Sequence, residues 1–177
     1  IFIKPETARL KNGQPFFYPE HSKDIHYEAE LVIRVSKNGK HIKEEFAPDY
    51  YNELTLGIDL TARDTQSMLK EKGLPWELAK AFDHSAVIGD FMEINELNNP
   101  SEIEFSLKKN DQTVQEGNSN MMLYPINKLI EFVSKYFFLK QGDLIFTGTP
   151  AGVGPIAIDD VYTGAIEGKN VLKLKVK

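Results

Sequence analysis

The stretch His26-Tyr27-Glu28-Ala29-Glu30-Leu31-Val32-Ile33-Arg34-Val35 constrains the fold more than any other in the chain. Alternate side chains of a strand share a face, so Tyr27, Ala29, Leu31, Ile33 and Val35 form an apolar face and Glu28 and Glu30 share the opposite one. Carboxylates two apart on a strand lie roughly 6.5–7 Å from each other, near enough to repel where water is scarce or to share a divalent cation. A half-buried strand with a solvated acidic face has the same pattern and needs no ligand.

Along the chain, Phe2-Ile3-Lys4-Pro5 reads as a short strand stopped by proline, and Lys11-Asn12-Gly13-Gln14-Pro15 as a turn. Asn38-Gly39 after the acidic strand predicts a hairpin. Residues 54–59 form a second buried strand that ends on Asp59. Thr61-Ala62-Arg63-Asp64 has the spacing of a capping box, so a helix is expected from there to Gly73. Asp59 then reads either as a residue at a helix start or as a ligand. Leu74-Pro75-Trp76 opens a compact aromatic tract that reaches Phe82 and Asp83. Strands are expected over 103–107 and 113–115, joined by an Asn110-Asp111 turn. Ile126, Leu129, Ile130, Val133 and Phe137 fall at helical spacing after Pro125. A strand over 143–147 leads into the glycine-rich residues 147–155, and 172–177 alternate as a half-exposed final strand. Many short strands with two clear helices predict an α+β fold, mostly β, as one domain over 1–177.

The chain carries 26 acidic and 21 basic residues, and this negative balance argues against nucleic acid or an anionic membrane as the main partner. No cysteine is present, which excludes disulfides, a thiolate nucleophile and thiolate-bound metals, and is compatible with a reducing cytoplasm. No apolar run approaches the roughly 18–20 residues of a membrane span. Nor does any Gly-x-Ser-x-Gly elbow occur, and residues 147–155 lack the Gly-Lys-Ser/Thr ending of a phosphate loop. That loop is either a tight turn or a cradle in which backbone N–H groups and Thr149 meet a small carboxylate. The four histidines lack metal-ligand spacing.

Glu28, Glu30 and Asp59 are oxygen donors of the kind that suits Mg²⁺ or Mn²⁺. Lys80, with apolar neighbours Leu78, Ala79 and Phe82, is either a snorkelling lysine on a short helix or a lysine beside an apolar pocket that pairs with an anionic substrate or stabilises an enolate. Arg63 and Gln66 share a helix face and form either a surface pair or a carboxylate grip.

Four motifs in order turn these alternatives into one pattern. His26-Tyr27-Glu28-Ala29-Glu30-Leu31, Gly57-Ile58-Asp59-Leu60-Thr61-Ala62-Arg63-Asp64, Lys72-Gly73-Leu74-Pro75-Trp76 with Ala79-Lys80-Ala81-Phe82-Asp83, and Thr147-Gly148-Thr149-Pro150-Ala151-Gly152-Val153-Gly154-Pro155 together resemble the fumarylacetoacetate hydrolase family. The Lys-Gly-Leu-Pro-Trp segment is most similar to its acylpyruvase and oxaloacetate decarboxylase branch. The resemblance implies a mixed β-roll catalytic domain, a homodimer, and Mg²⁺ or Mn²⁺ held at the positions of Glu28, Glu30 and Asp59. It implies an active-site lysine at Lys80, substrate contacts from Arg63, Gln66 and Thr149, and cleavage of a small 2-oxo acid through a pyruvate enolate. Alternatives on the same pattern are a 2-hydroxyhepta-2,4-diene-1,7-dioate isomerase or hydratase, and a binding protein that kept the fold. The family's hydrolases activate water with a His and a Glu of an N-terminal lid, a segment that would precede Ile1, so the resemblance assigns no base within 1–177.

Overall fold

The computed structural model describes residues 1–177 as a mixed α+β fold that is predominantly β. In chain order the elements are β1 (Arg9–Lys11), β2 (Pro15–Phe16), β3 (Ile25–Tyr27), β4 (Ala29–Val35), β5 (Tyr51–Asp59), β6 (Thr61–Ala62), α1 (Arg63–Glu71), α2 (Glu77–Lys80) and β7 (Ala86–Ile88). They continue with β8 (Met92–Glu93), β9 (Glu104–Lys109), β10 (Gln112–Asn118), α3 (Ile126–Tyr136), β11 (Leu144–Phe146), β12 (Gly154–Pro155), β13 (Val161–Ile166) and β14 (Lys169–Val176). One sheet runs β1-β7-β5-β4-β11 with β8 beside β5, a second runs β10-β9-β13-β14-β2, and a small third is β12-β3-β6. The two larger sheets share one core, with Leu31, Leu54 and Leu56 from the first meeting Leu107, Tyr162 and Leu174 from the second. They approach closely at Gly164, where a Cβ would stand 2.5 Å from Leu56 Cδ2.

Several local expectations hold for the reasons given. Asn110 and Asp111 both take positive φ, as a two-residue turn between β9 and β10 requires. Gly73 at φ +63° ends α1, with Leu74 N bonding Leu69 O and Gly73 N bonding Lys70 O, a Schellman closure. Strand β14 alternates buried and exposed side chains from Leu172 on.

Three expectations fail. Residues 2–5 form no strand: the chain there is irregular, Pro5 offers no N–H to a ladder, and Lys4 docks by its side chain instead. The Asn38-Gly39 hairpin is absent. Neither residue takes positive φ, and residues 36–50 carry the chain through a 3₁₀ helix at Glu44–Tyr50 before β5 begins. Gly39 instead packs against Tyr50, where a Cβ would lie 2.4 Å from Cε1. The capping box is also absent, because Thr61 belongs to β6 and pairs with His26. Helix α1 starts without a side-chain cap, and the Arg63 N–H reaches Asp24 O at 2.7 Å. The acidic face of β4 is buried, since β5 and β11 flank the strand and further segments close over it, and this removes the solvated-face alternative.

Gly89 follows β7 where the two large sheets meet, and a Cβ there would stand 2.7 Å from Val171 O and 2.8 Å from Leu56 O. Both obstacles are backbone. Gly89→Ala is expected to lower stability by about 1–3 kcal/mol, read as an earlier urea midpoint with an unchanged slope.

Candidate active site

The carboxylates converge because of strand register. In the β4–β5 pair Glu30 lies opposite Gly57, and Asp59 N donates to Glu28 O at 2.8 Å just where the chain breaks between β3 and β4. Directly opposed residues share a face and so do residues two apart, so Glu28, Glu30 and Asp59 all project the same way. All three are buried, and one oxygen from each lies within 4.8 Å of the others. Asp59 sits at the end of a strand and caps no helix.

Three cations enclose this cluster. Lys80, on the last turn of α2 and only 3% exposed, donates to Glu28 Oε2 at 2.6 Å, Asp59 Oδ2 at 2.7 Å and Thr61 Oγ1 at 2.6 Å. Arg63, the first residue of α1, donates to Glu28 Oε1 at 2.6 Å and to Gln66 Oε1 at 2.7 Å. Lys4 brings its ammonium to 2.7 Å from Asp59 Oδ1, and also donates to the Lys80 carbonyl and to Ser85 Oγ. The Lys80 carbonyl also accepts from Ser85 Oγ at 2.8 Å, so Lys4 and Ser85 together tie the end of α2 to the start of β7. His26 pairs with Asp24 at 2.9 Å and makes no hydrogen bond to the cluster.

The charges are unevenly matched. Burial pushes the Glu28 carboxyl up, but Lys80 and Arg63 outweigh it and hold the group below its ordinary value. Glu30 touches no cation. Burial and the neighbouring Asp59 charge push its carboxyl up to about 8, against one hydrogen bond from Gly148 N at 2.7 Å. Burial also pulls the Lys4 ammonium below its ordinary value, against the attraction of Asp59. Asp59 Oδ1 is buried with no aligned donor; Lys4 stands at ion-pair distance but out of hydrogen-bond alignment. An oxygen-only donor set with one unaligned buried oxygen and one carboxylate lacking a counter-charge fits a hard divalent cation.

The loop after β11 closes the other side. Thr147 Oγ1 donates to Leu31 O at 2.9 Å, and Gln115 Nε2 on β10 donates to Thr149 Oγ1 at 2.9 Å and to Pro150 O at 3.1 Å. The opposite end of the same amide, Gln115 Oε1, accepts from Ala29 N at 2.9 Å, between the two glutamates. The glycine-rich loop is thus docked on β4, and Thr149 lies beside the cluster. Beyond this loop an open groove of about 950 Å³ is lined by Phe105, Met121, Leu123 and Tyr124 among others. It reaches the carboxylates only through residues 147–149. Its charged lining residues are Glu104 and Glu116, with no lysine or arginine to meet an anion and none of the three clustered carboxylates, so the chemistry is assigned to the cluster and not to this groove.

Every site residue expected from sequence is therefore at or beside one centre: Glu28, Glu30, Asp59, Lys80, Arg63, Gln66 and Thr149. Sequence reading missed Lys4, Thr61 and Gln115. Lys4 sits in a segment read as strand and Thr61 was assigned to a helix cap. Gln115 is turned inward by a bulge between Thr113 and Gln115 that breaks the alternation of β10.

A buried three-carboxylate centre flanked by lysine and arginine, carried on a mixed β fold, defines a cation-chelating site of enzyme type. The chain belongs to the fumarylacetoacetate hydrolase family, whose profile, described as fumarylacetoacetate (FAA) hydrolase C-terminal, matches residues 1–175. It is 40% identical over 177 residues to the mitochondrial oxaloacetate tautomerase FAHD1 of Mus musculus, covering all of this chain and 80% of the relative. It is 38% identical to the mitochondrial oxaloacetate decarboxylase of Dictyostelium discoideum, covering 95% of this chain and 78% of that one. Among solved structures, fumarylpyruvate hydrolase from Pseudomonas aeruginosa in complex with Mn²⁺ and pyruvate superposes with a TM-score of 0.92 at 34% identity, covering 99% of this chain and 77% of that one.

Glu30 fixes a pH dependence. Its folded value of about 8 lies above the ordinary 4.5, so the metal-free folded state holds a proton that the unfolded state releases. That contribution to stability is complete below about 4.5 and is lost as pH rises through about 8. A cation at the site must displace the same proton. The rise in Tm on adding Mg²⁺ to stripped protein is therefore expected to be larger at pH 8.5 than at pH 6. Calorimetric titration at pH 6.5 in two buffers should show uptake of about one proton by buffer per Mg²⁺ bound.

Proposed function

We propose that residues 1–177 form one catalytic unit that cleaves a C–C bond of a small 2-oxo or 1,3-dicarbonyl acid, by acylpyruvate hydrolysis or oxaloacetate decarboxylation. One observation carries the reading: a buried ammonium, Lys80, lies 2.6–2.7 Å from two carboxylates of a cluster built to chelate. Glu28, Glu30 and Asp59 would hold Mg²⁺ or Mn²⁺, which supplies Lewis-acid stabilisation of negative charge on an oxo-acid oxygen. Lys80 adds positive charge on the same side, where charge develops on the C2 oxygen as the C3–C4 bond breaks. Arg63 aligns Glu28 and, by donating to Gln66 Oε1, leaves the Gln66 amide nitrogen as a donor. With the Thr149 hydroxyl, these groups would orient the substrate's carboxylates. In oxaloacetate C4 leaves as CO₂, and in an acylpyruvate water adds to the acyl carbonyl and C4 leaves as a carboxylic acid; in both the C3–C4 electron pair becomes the pyruvate enolate, and protonation at C3 gives pyruvate.

A second reading has support from the 40% identical oxaloacetate tautomerase: keto–enol interconversion of oxaloacetate. It needs the same stabilised enolate and moves only a proton. Homodimerisation is part of the proposal and is supported by Met121, Leu123 and Tyr124, which stand exposed between β10 and α3, Leu123 at 94%.

Stripping the metal, or Glu28→Ala, is expected to lower kcat/KM on oxaloacetate or an acylpyruvate at least about 100-fold, a loss of about 2.7 kcal/mol in transition-state stabilisation. Full activity after either change defeats the mechanism. Mass analysis of products decides between readings: cleavage releases pyruvate, whereas tautomerisation removes the enol absorbance and conserves mass. Leu123→Glu is expected to shift the light-scattering mass toward a monomer, with far-UV circular dichroism unchanged.

A further inference from the structure

We propose that Gln115 is a positioning residue that fixes the Thr149 hydroxyl as a hydrogen-bond donor toward the carboxylate of a bound 2-oxo acid. The inference rests on the reading of Thr149 as a carboxylate contact and assigns it a cause. Amide orientation is often ambiguous, but here both ends meet partners of fixed polarity. The Ala29 N–H can only donate, so the end facing it, at 2.9 Å, is Oε1. The Pro150 carbonyl can only accept, so the end facing it, at 3.1 Å, is the NH₂ group. The second N–H of that group then points at Thr149 Oγ1, 2.9 Å away.

Thr149 Oγ1 is thereby held as an acceptor from the protein, and its own proton must go elsewhere. That proton has no acceptor within the chain. A threonine hydroxyl free to rotate can offer a lone pair or a proton, and a lone pair repels an anion. The Gln115 amide takes up one of the two lone pairs before substrate arrives and leaves the proton for the ligand, which biases the hydroxyl toward donating to an anion. The amide itself is rigidly placed. Gln115 is 2% exposed, and the loop packs so tightly on β10 that a Cβ at Gly152 would lie 2.4 Å from Val114 O. Since Ala29 separates Glu28 from Glu30, the same side chain holds Thr149 in register with the chelating carboxylates.

The experiment measures pyruvate binding to the Mg²⁺-loaded full chain by calorimetry. Gln115→Glu is nearly isosteric and still accepts from Ala29 N, but turns the Thr149 bond around. Gln115→Met removes all three of its bonds, to Ala29 N, Thr149 Oγ1 and Pro150 O, without adding charge. Each is expected to weaken pyruvate about tenfold while Mn²⁺ affinity, read by electron paramagnetic resonance, moves less than threefold for Gln115→Met. Thr149→Val is expected to weaken pyruvate similarly, and the Gln115→Met, Thr149→Val double variant to be no weaker than the weaker single one. Additive losses, or unchanged binding in Gln115→Met, overturn the positioning role. Unchanged binding in Thr149→Val instead overturns the carboxylate contact on which it rests. Should the Gln115 variants fail to fold, three-bond couplings to the Thr149 methyl in the unaltered protein decide. A single rotamer before pyruvate is added supports the proposal, and rotamer averaging refutes it.

Discussion

The site depends on the register between β4 and β5. With Glu30 opposite Gly57, Asp59 falls beside Glu28 and all three acids face one way. A slip of one residue would send Glu30 to the opposite face and fill the cluster with Leu31 or Ala29. The register is held by the apolar alternates Ala29, Leu31, Ile33 and Val35, which are buried on the other face. Gly57 contributes by what it lacks. A Cβ there would collide with Phe146 at 2.6 Å and Val32 at 2.7 Å, so those side chains can pack over position 57 only because it is glycine.

Buried charge occurs twice in this molecule, and the two cases differ in how completely it is satisfied. Asp160 accepts from Ala157 N at 2.6 Å, Asn110 Nδ2 at 2.9 Å and the Tyr162 hydroxyl at 3.2 Å, and pairs with Lys109 at 2.8 Å. Burial opposes ionisation there, yet these donors hold the carboxyl below its ordinary value. It is a closed structural node that pins the β9–β10 turn to the start of β13. Around Glu28, Glu30 and Asp59 the matching is left incomplete: Glu30 lacks a cation and Asp59 Oδ1 lacks an aligned donor. Burying a charge without full compensation costs several kcal/mol, so a fold that keeps such a cluster has a use for it beyond stability.

How much was legible in the sequence follows from where the information lies. Alternation in β4, the Asn110-Asp111 turn and the spacing of α3 are local signals, and each element formed as expected. The three clustered carboxylates were legible because strand ends and motif order mark Glu28, Glu30 and Asp59. That the acidic face is buried was not legible, since the cover comes from Lys80, fifty residues on in the chain, and from Gly148, over a hundred on. Thr61 misled because a threonine three residues before an acid serves a cap equally well. Tertiary pairing with His26 took it into a strand, and its hydroxyl went to Lys80. Gln115 was hidden by a bulge, a one-residue irregularity that no alternation pattern reveals.

The loop over 147–154 is where these strands of argument meet. Its backbone gives Glu30 its one hydrogen bond, through Gly148 at φ +100°, and its next residue carries Thr149. The positive φ matters, because a β-carbon at 148 would disfavour the turn that aims this N–H at the carboxylate. That bond holds the residue next to Thr149. One peptide unit therefore joins the carboxylate cluster to Thr149, in a fold where Gln115 ties the far side of the same loop to Ala29, between the two glutamates.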